Sequence, residues 1–189
     1  MVLELRVKRL KAKGFKAAEP RFVDDACSKA LSAMREQRVR TFDAINQEET
    51  DGTKYLRSIR EFTPIISRDG FCVDYDEIVS DHLRQNRNDI WPTLFFNPRK
   101  VELYEKNDWK VSQGYGVPSG VAIVFTDGCF GPREGVVMHE LSHMYLEMRH
   151  CLDEGCVMNE RSGKSLRYCN DCLDGLPLYE RMPVAEAST

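Results

Sequence analysis

Two histidines four residues apart with a glutamate between them, His139-Glu140-Leu141-Ser142-His143, are the part of this 189-residue sequence best equipped for chemistry. Residues four apart on a helix project from one face a turn apart, so both imidazoles can reach one ion while Glu140 lies beside it. H-E-x-x-H is the helix pattern in which the glutamate acts as general base on a zinc-bound water. A chain of this composition yields it by chance in roughly one shuffling in 140, so the five residues alone do not decide the chemistry. The residues after them do. Three of the four histidines and four of the seven cysteines fall between His139 and Cys172. Cys151, Cys156, Cys169 and Cys172 form C-x4-C-x12-C-x2-C, two close pairs at a separation suited to a tetrahedral thiolate site. The run reads as a catalytic zinc site followed by a structural one, two Zn²⁺ per chain.

The order H-E-x-x-H, a further His with Cys directly after it, Cys-x-Met and finally C-x-x-C resembles the archaemetzincin family of zinc metalloproteases over about 34 residues, His139 to Cys172. Cys156-Val157-Met158-Asn159 is especially similar. The resemblance implies that His150 completes the catalytic site with His139 and His143 and that Glu140 is the base. It implies that Cys151, Cys156, Cys169 and Cys172 hold a structural zinc, and that Met158 forms an apolar floor beneath the catalytic metal. It further implies a peptidase acting on a peptide or protein substrate within a metzincin-like α/β (α+β) fold, where an edge strand pairs with the extended substrate.

Two features differ from that family's pattern. Leu146 stands where the family has a Gly three residues after the second His, and His150 follows His143 by seven residues instead of six. An unbroken helix would carry His150 about 10 Å along its axis from His143, too far to share an ion with bonds of about 2 Å. The chain must therefore turn between Leu146 and Arg149, and one of Leu146, Glu147, Met148 or Arg149 must take a positive φ. Glu147, four residues past His143, is the rival third ligand or a partner to one, with Asp153 and Glu154 further alternatives. Ten residues separate Met158 from Cys169, against roughly seventeen in the family, a shortening that loop closure tolerates.

These side chains need elements to hold them. The motif predicts a helix with Pro132 in its first turn and an apolar stripe of Val137, Leu141, Met144, Tyr145 and Met148. Before it, Val121 to Phe125 is the strongest strand, expected to line the cleft and pair with a peptide. Val2 to Leu10 predicts a first strand, and Ala26, Ala30, Leu31 and Met34 a helix starting at Asp24 or Asp25. Gln47 to Lys54 reads as a polar turn, with a strand following within Tyr55 to Ile66. A second helix from Asp74 or Asp76 would turn Ile78, Val79 and Leu83 inward and carry His82 on its surface or partly packed. Trp91 to Phe96 and Val101 to Tyr104 suggest a hairpin around Asn97-Pro98, and Gly114-Tyr115-Gly116 a turn without the lysine of a phosphate loop. The expected organisation is one domain over 1–189, with an α/β part (1–146) and an irregular lobe (147–189) whose zinc supplies what its core lacks.

A net charge of −3 gives no global attraction to nucleic acid or to an anionic membrane. Arg161, Lys164 and Arg167 between the cysteine pairs are too few for a nucleic-acid-binding ribbon. Arg6, Lys8, Arg9, Lys11, Lys13 and Lys16 crowd the first sixteen residues and read as the solvated side of the first strand, with a basic arm as the alternative. The absence of a signal-like start or an eighteen-residue apolar run points to a cytoplasmic chain, expected to be a monomer. In a reducing compartment Cys27, Cys72 and Cys129 read as small core residues.

Overall fold

The computed structural model describes residues 3–11, 16–58, 71–73, 75–85, 92–97, 101–105, 108–118, 120–126, 133–160 and 165–177. Strand β1 (Glu4–Lys11) alternates as expected, with Leu5, Val7 and Leu10 buried. Helix α1 spans Pro20–Glu36, five residues longer at its start than the Asp24 cap would give. Pro20 sits in the first turn, where its fixed φ suits a helix and its missing N–H costs nothing, and no side chain caps this end. Val23, Ala26, Cys27, Ala30, Leu31 and Met34 turn its apolar face inward.

The segment read as a polar turn is instead strand β2 (Ala44–Asp51), parallel to β1, and a short 3-10 turn follows at Thr53–Tyr55. No residue of β2 is buried, which is why its composition hides a strand: it is a sheet edge held by main-chain pairing. Its acids answer the basic first strand through Lys8–Glu48 (3.5 Å) and Lys11–Glu49 (2.9 Å). Lys8 and Lys11 of the basic stretch thus have ion-pair partners on the neighbouring strand, while Lys16 is exposed beyond β1. Lys13 lies outside the described residues.

Strands β3 (Leu56–Ser58) and β4 (Phe71–Val73) pair antiparallel, and helix α2 covers Tyr75–Gln85. The rest of the expected Tyr55–Ile66 strand lies outside the described residues. On α2, Ile78 is buried and Val79 packs beside it, but Leu83 is 46% exposed, contrary to the helical reading, and His82 is buried. Burial, with Lys8 and Arg6 nearby, holds the His82 imidazole below its ordinary pKa.

Strand β5 (Thr93–Asn97) is buried throughout and lies parallel between β1 and β9 (Val121–Phe125). The expected hairpin with the Val101 segment does not form. That segment, β6 (Val101–Glu105), pairs with β7 (Asp108–Ser112), which the sequence reading did not identify. The supposed glycine turn is also a strand, β8 (Gly114–Val117), antiparallel to β9. The main sheet runs β2-β1-β5-β9-β8, so β8, not β9, is its terminal strand on the side of the motif.

Both faces of the sheet are covered, which explains the unbroken apolar runs of β5 and β9. Leu94, Phe96, Ala122 and Val124 join the core of α1 and of helix α3 (Arg133–Leu146). Phe95, Val121, Ile123 and Phe125 face the other way, toward Tyr55 and Ile78. After α3 the described residues are irregular up to a five-residue helix, α4 (Asn170–Asp174). Cys156, Val157, Met158, Tyr168 and Leu176 from this segment are nevertheless buried in the same core as α1 and α3. Among the described residues no helix is long and apolar enough to cross a membrane.

Candidate metal centres

Helix α3 packs against α1, β8 and β9 and buries Val137, Met138, Leu141 and Met144, which leaves His139 and His143 a turn apart on its remaining face. The helix then stops at Leu146. Glu147 takes φ 53°, the Met148 N–H turns back to the Ser142 carbonyl (3.1 Å), and the chain reverses. The turn that the missing glycine would have made is thus made by Glu147. A non-glycine residue there costs on the order of 1 kcal/mol. The reversal brings His150 to the motif: its Nε2 lies 3.2 Å from that of His139 and 3.0 Å from that of His143, and the latter two are 3.0 Å apart.

These contacts are not hydrogen bonds between rings. His139 Nδ1 lies 2.7 Å from the Val157 carbonyl, His143 Nδ1 2.6 Å from the Met148 carbonyl, and His150 Nδ1 3.0 Å from a Glu160 carboxylate oxygen. Carbonyls and carboxylates accept, so each Nδ1 carries the proton and each Nε2 presents a lone pair. Burial pushes His139 down to about 4 and lowers His143 as well, so both rings are neutral at pH 7. Three lone pairs therefore converge at about 3 Å. Ligand bonds of 2.0–2.1 Å at tetrahedral angles separate nitrogens by about 3.3 Å, so the triangle fits one face of a zinc-sized cation. Glu147, the rival ligand, is exposed and outside this cluster, as are Asp153 and Glu154.

The four cysteines gather next to it. Their sulfurs lie within 4.8 Å of one another, with Cys156 and Cys172 Sγ 3.7 Å apart, near the ~3.8 Å edge of a tetrahedron with 2.3 Å bonds. Cys156 Sγ accepts the N–H groups of Met158 (3.4 Å) and Cys169 (3.2 Å), as a metal-binding thiolate does. Burial still pushes the Cys156 thiol up to about 11 and raises Cys172, while Cys169, raised by burial, is brought below its ordinary value by hydrogen bonds from the Cys172 backbone and the adjacent thiols. Clustered thiolates repel one another, and a divalent cation is what offsets that cost. Cys27 is buried and its thiol pushed up to about 12, an inert core residue as expected. Cys129 lies outside the described residues, as do Arg161 and Lys164.

The two clusters share one loop. Cys151 directly follows His150, its N–H donates to the carbonyl of the fully buried Met158 (3.1 Å), and Val157, which holds His139, directly follows Cys156. No protein-family model matches the sequence, and no curated protein is significantly similar to it. The histidine and cysteine groups are therefore assigned by their geometry: they are two candidate metal-binding sites compatible with zinc.

Glu140 is 5% exposed, and its carboxylate has no hydrogen-bond partner among the described residues. Burial alone pushes it up to about 8. The side chain lies against β8, where a Cβ on Gly114 would fall 2.6 Å from its Cγ and 2.7 Å from its Cδ. Sequence reasoning missed Gly114 and Gly116 as site residues, although their period of two, G-x-G ahead of a strong strand, is the signal of a strand face left bare for a close neighbour. It also missed Glu160 as the partner of His150 and Tyr168 as a support of α3, and nothing in their local sequence marks either.

Proposed function

We propose that the chain is a zinc-dependent peptidase, hydrolysing peptide bonds in a peptide or protein substrate. The observation that carries this reading is the convergence of three Nε2 lone pairs, two of them from the helix that also carries the buried carboxylate of Glu140. The likeness of the His139–Cys172 run to archaemetzincins supports it, and within that likeness the fold is metzincin-like, Met158 is the apolar floor and the four cysteines hold a structural zinc.

His139, His143 and His150 would hold the catalytic ion, with Val157, Met148 and Glu160 fixing the rings. Zinc bound there supplies Lewis acidity and lowers the pKa of a coordinated water toward 7. Glu140 accepts the proton of the attacking water on its carboxylate and returns it to the leaving amine. Burial shields that exchange from bulk water. Terminal strand β8, rather than β9, would align an extended peptide by main-chain pairing.

Glu140→Ala is the test. It removes the proton carrier and leaves the histidines, so zinc should stay at two per chain while cleavage of a quenched-fluorescence peptide library disappears. Retained cleavage would refute the role of Glu140. A wild-type chain with both zincs and no cleavage of any library member would favour a metal-binding protein without turnover.

A further inference from the structure

We infer that Gly114 and Gly116 are positioning residues for Glu140: the bare inner face of β8 is the slot that holds this carboxylate between strand and helix. The functional part of this inference rests on Glu140 being the proton carrier, while the packing part stands alone. Gly114 and Gly116 are two apart on β8, so both face α3, while Tyr115 between them points away and is 43% exposed. Neither glycine has a positive φ, so the backbone would accept alanine at both. Space is what forbids it. A Cβ at 114 would meet Oε1, Cγ and Cδ of Glu140, all side-chain atoms, with Cγ and Cδ at 2.6 and 2.7 Å. A Cβ at 116 would meet the Glu140 backbone oxygen at 2.8 Å and Oε2 at 3.0 Å.

The two glycines therefore do different things. Gly116 sets how closely the strand approaches the helix main chain, because the atom it spares cannot move without moving α3. Gly114 spares the side chain alone and decides where the carboxylate sits. A side chain with χ1, χ2 and χ3 would otherwise sample several rotamers, and among the described residues this buried carboxylate has walls rather than hydrogen bonds to hold it. The glycine face provides that wall at van der Waals contact, and a displacement of about 1 Å is enough to cost on the order of 100-fold in a proton-transfer step.

A stability cycle on the zinc-loaded chain separates these roles. Gly114→Ala should lower the thermal midpoint by about 5 °C through overpacking. In a Glu140→Ala background, where the crowded atoms are gone, the same substitution should change the midpoint by less than about 1 °C. Gly116→Ala should lower it in both backgrounds, since the backbone oxygen remains. If Gly114→Ala does not fold, folding of Gly114→Ala/Glu140→Ala supports the slot and its failure overturns it. Equal cost of Gly114→Ala in both backgrounds also overturns it. In the active enzyme Gly114→Ala should reduce kcat about 100-fold with KM within about threefold. A raised KM with unchanged kcat would assign β8 to substrate contact instead. A wild-type chain that cleaves nothing removes the proposed function and leaves the stability cycle to judge the slot.

Discussion

Ser142 and Tyr168 share a 2.6 Å hydrogen bond in the buried core, and it ties the helix of the histidine centre to the chain that carries the cysteine centre. Ser142 Oγ donates to the Met138 carbonyl (2.6 Å), so the Tyr168 hydroxyl is the donor to Ser142. Ser142 directly precedes His143, and Tyr168 directly precedes Cys169. Gln37, just past α1, accepts the Tyr168 N–H (2.7 Å) and donates to the Leu166 carbonyl (2.9 Å), anchoring the other side. Tyr168→Phe should therefore cost about 1 kcal/mol in urea unfolding. It should also loosen metal at the histidine centre under competition by a chelator. Unchanged stability and unchanged metal release would mean that the link carries no energy.

The shared loop makes a stronger demand. Val157 orients His139, and Cys151 adjoins His150, so whatever orders Cys151, Cys156, Cys169 and Cys172 also orders two of the three imidazoles. Cys169→Ser should remove the metal of the cysteine centre and weaken the histidine centre by about 10- to 100-fold, the usual effect of losing ligand-orienting partners. Metal content and competition with a chromophoric chelator read both. A histidine centre of unaltered affinity would show that the loop keeps its shape without the four-cysteine site.

What the sequence made legible was the part written in residue type and short spacing. H-E-x-x-H declared the helix of α3, and the cysteine spacing declared the second cluster, because a metal's coordination number restricts both types and intervals. Val121–Phe125 declared β9 because a strand buried on both faces must be apolar throughout. Gln47 to Asp51 did not declare β2, since an exposed edge strand needs no apolar residue and is fixed by its partner β1. Gly114-Tyr115-Gly116 was misleading for a related reason. Glycines ordinarily mark turns, and these mark a close approach whose other half, Glu140, lies 24 or more residues away. The partner of Trp91–Phe96 was misassigned because adjacency in sequence favours a hairpin, whereas β5 completes a parallel sheet with two distant strands.

Glu147 tests how the site closes without its glycine. Glu147→Gly should keep both metals and stay within about 1 kcal/mol of wild type, because relief of the positive φ is offset by the greater freedom of the unfolded chain. Glu147→Val should cost about 2 kcal/mol, since a β-branched residue resists that conformation. Metal analysis of both variants also decides the ligand question. Loss of one metal in Glu147→Gly would make the carboxylate a ligand after all and displace His150 from that role.

A last prediction concerns pH and the opposite face of the sheet. Asp81 on α2 is 9% exposed and accepts from Tyr55 (3.2 Å) as well as from Lys54 and Arg84. Burial pushes its carboxyl up, but the hydrogen bonds and charge of Lys54, Tyr55 and Arg84 together outweigh this and leave it below 3.8. A depressed carboxylate stabilises the fold above its unfolded pKa and loses that contribution as pH falls through the folded value. Asp81→Asn should therefore cost about 1–2 kcal/mol at pH 7, where the charged acceptor is lost, with half-exposed Lys54 and Arg84 limiting the effect. The gap between variant and wild type should narrow as pH drops below 3.8, because protonated Asp81 then resembles the amide. Urea unfolding of both proteins at pH 7 and in steps below pH 4 measures it. A gap constant across that range would mean that Asp81 acts through its shape alone.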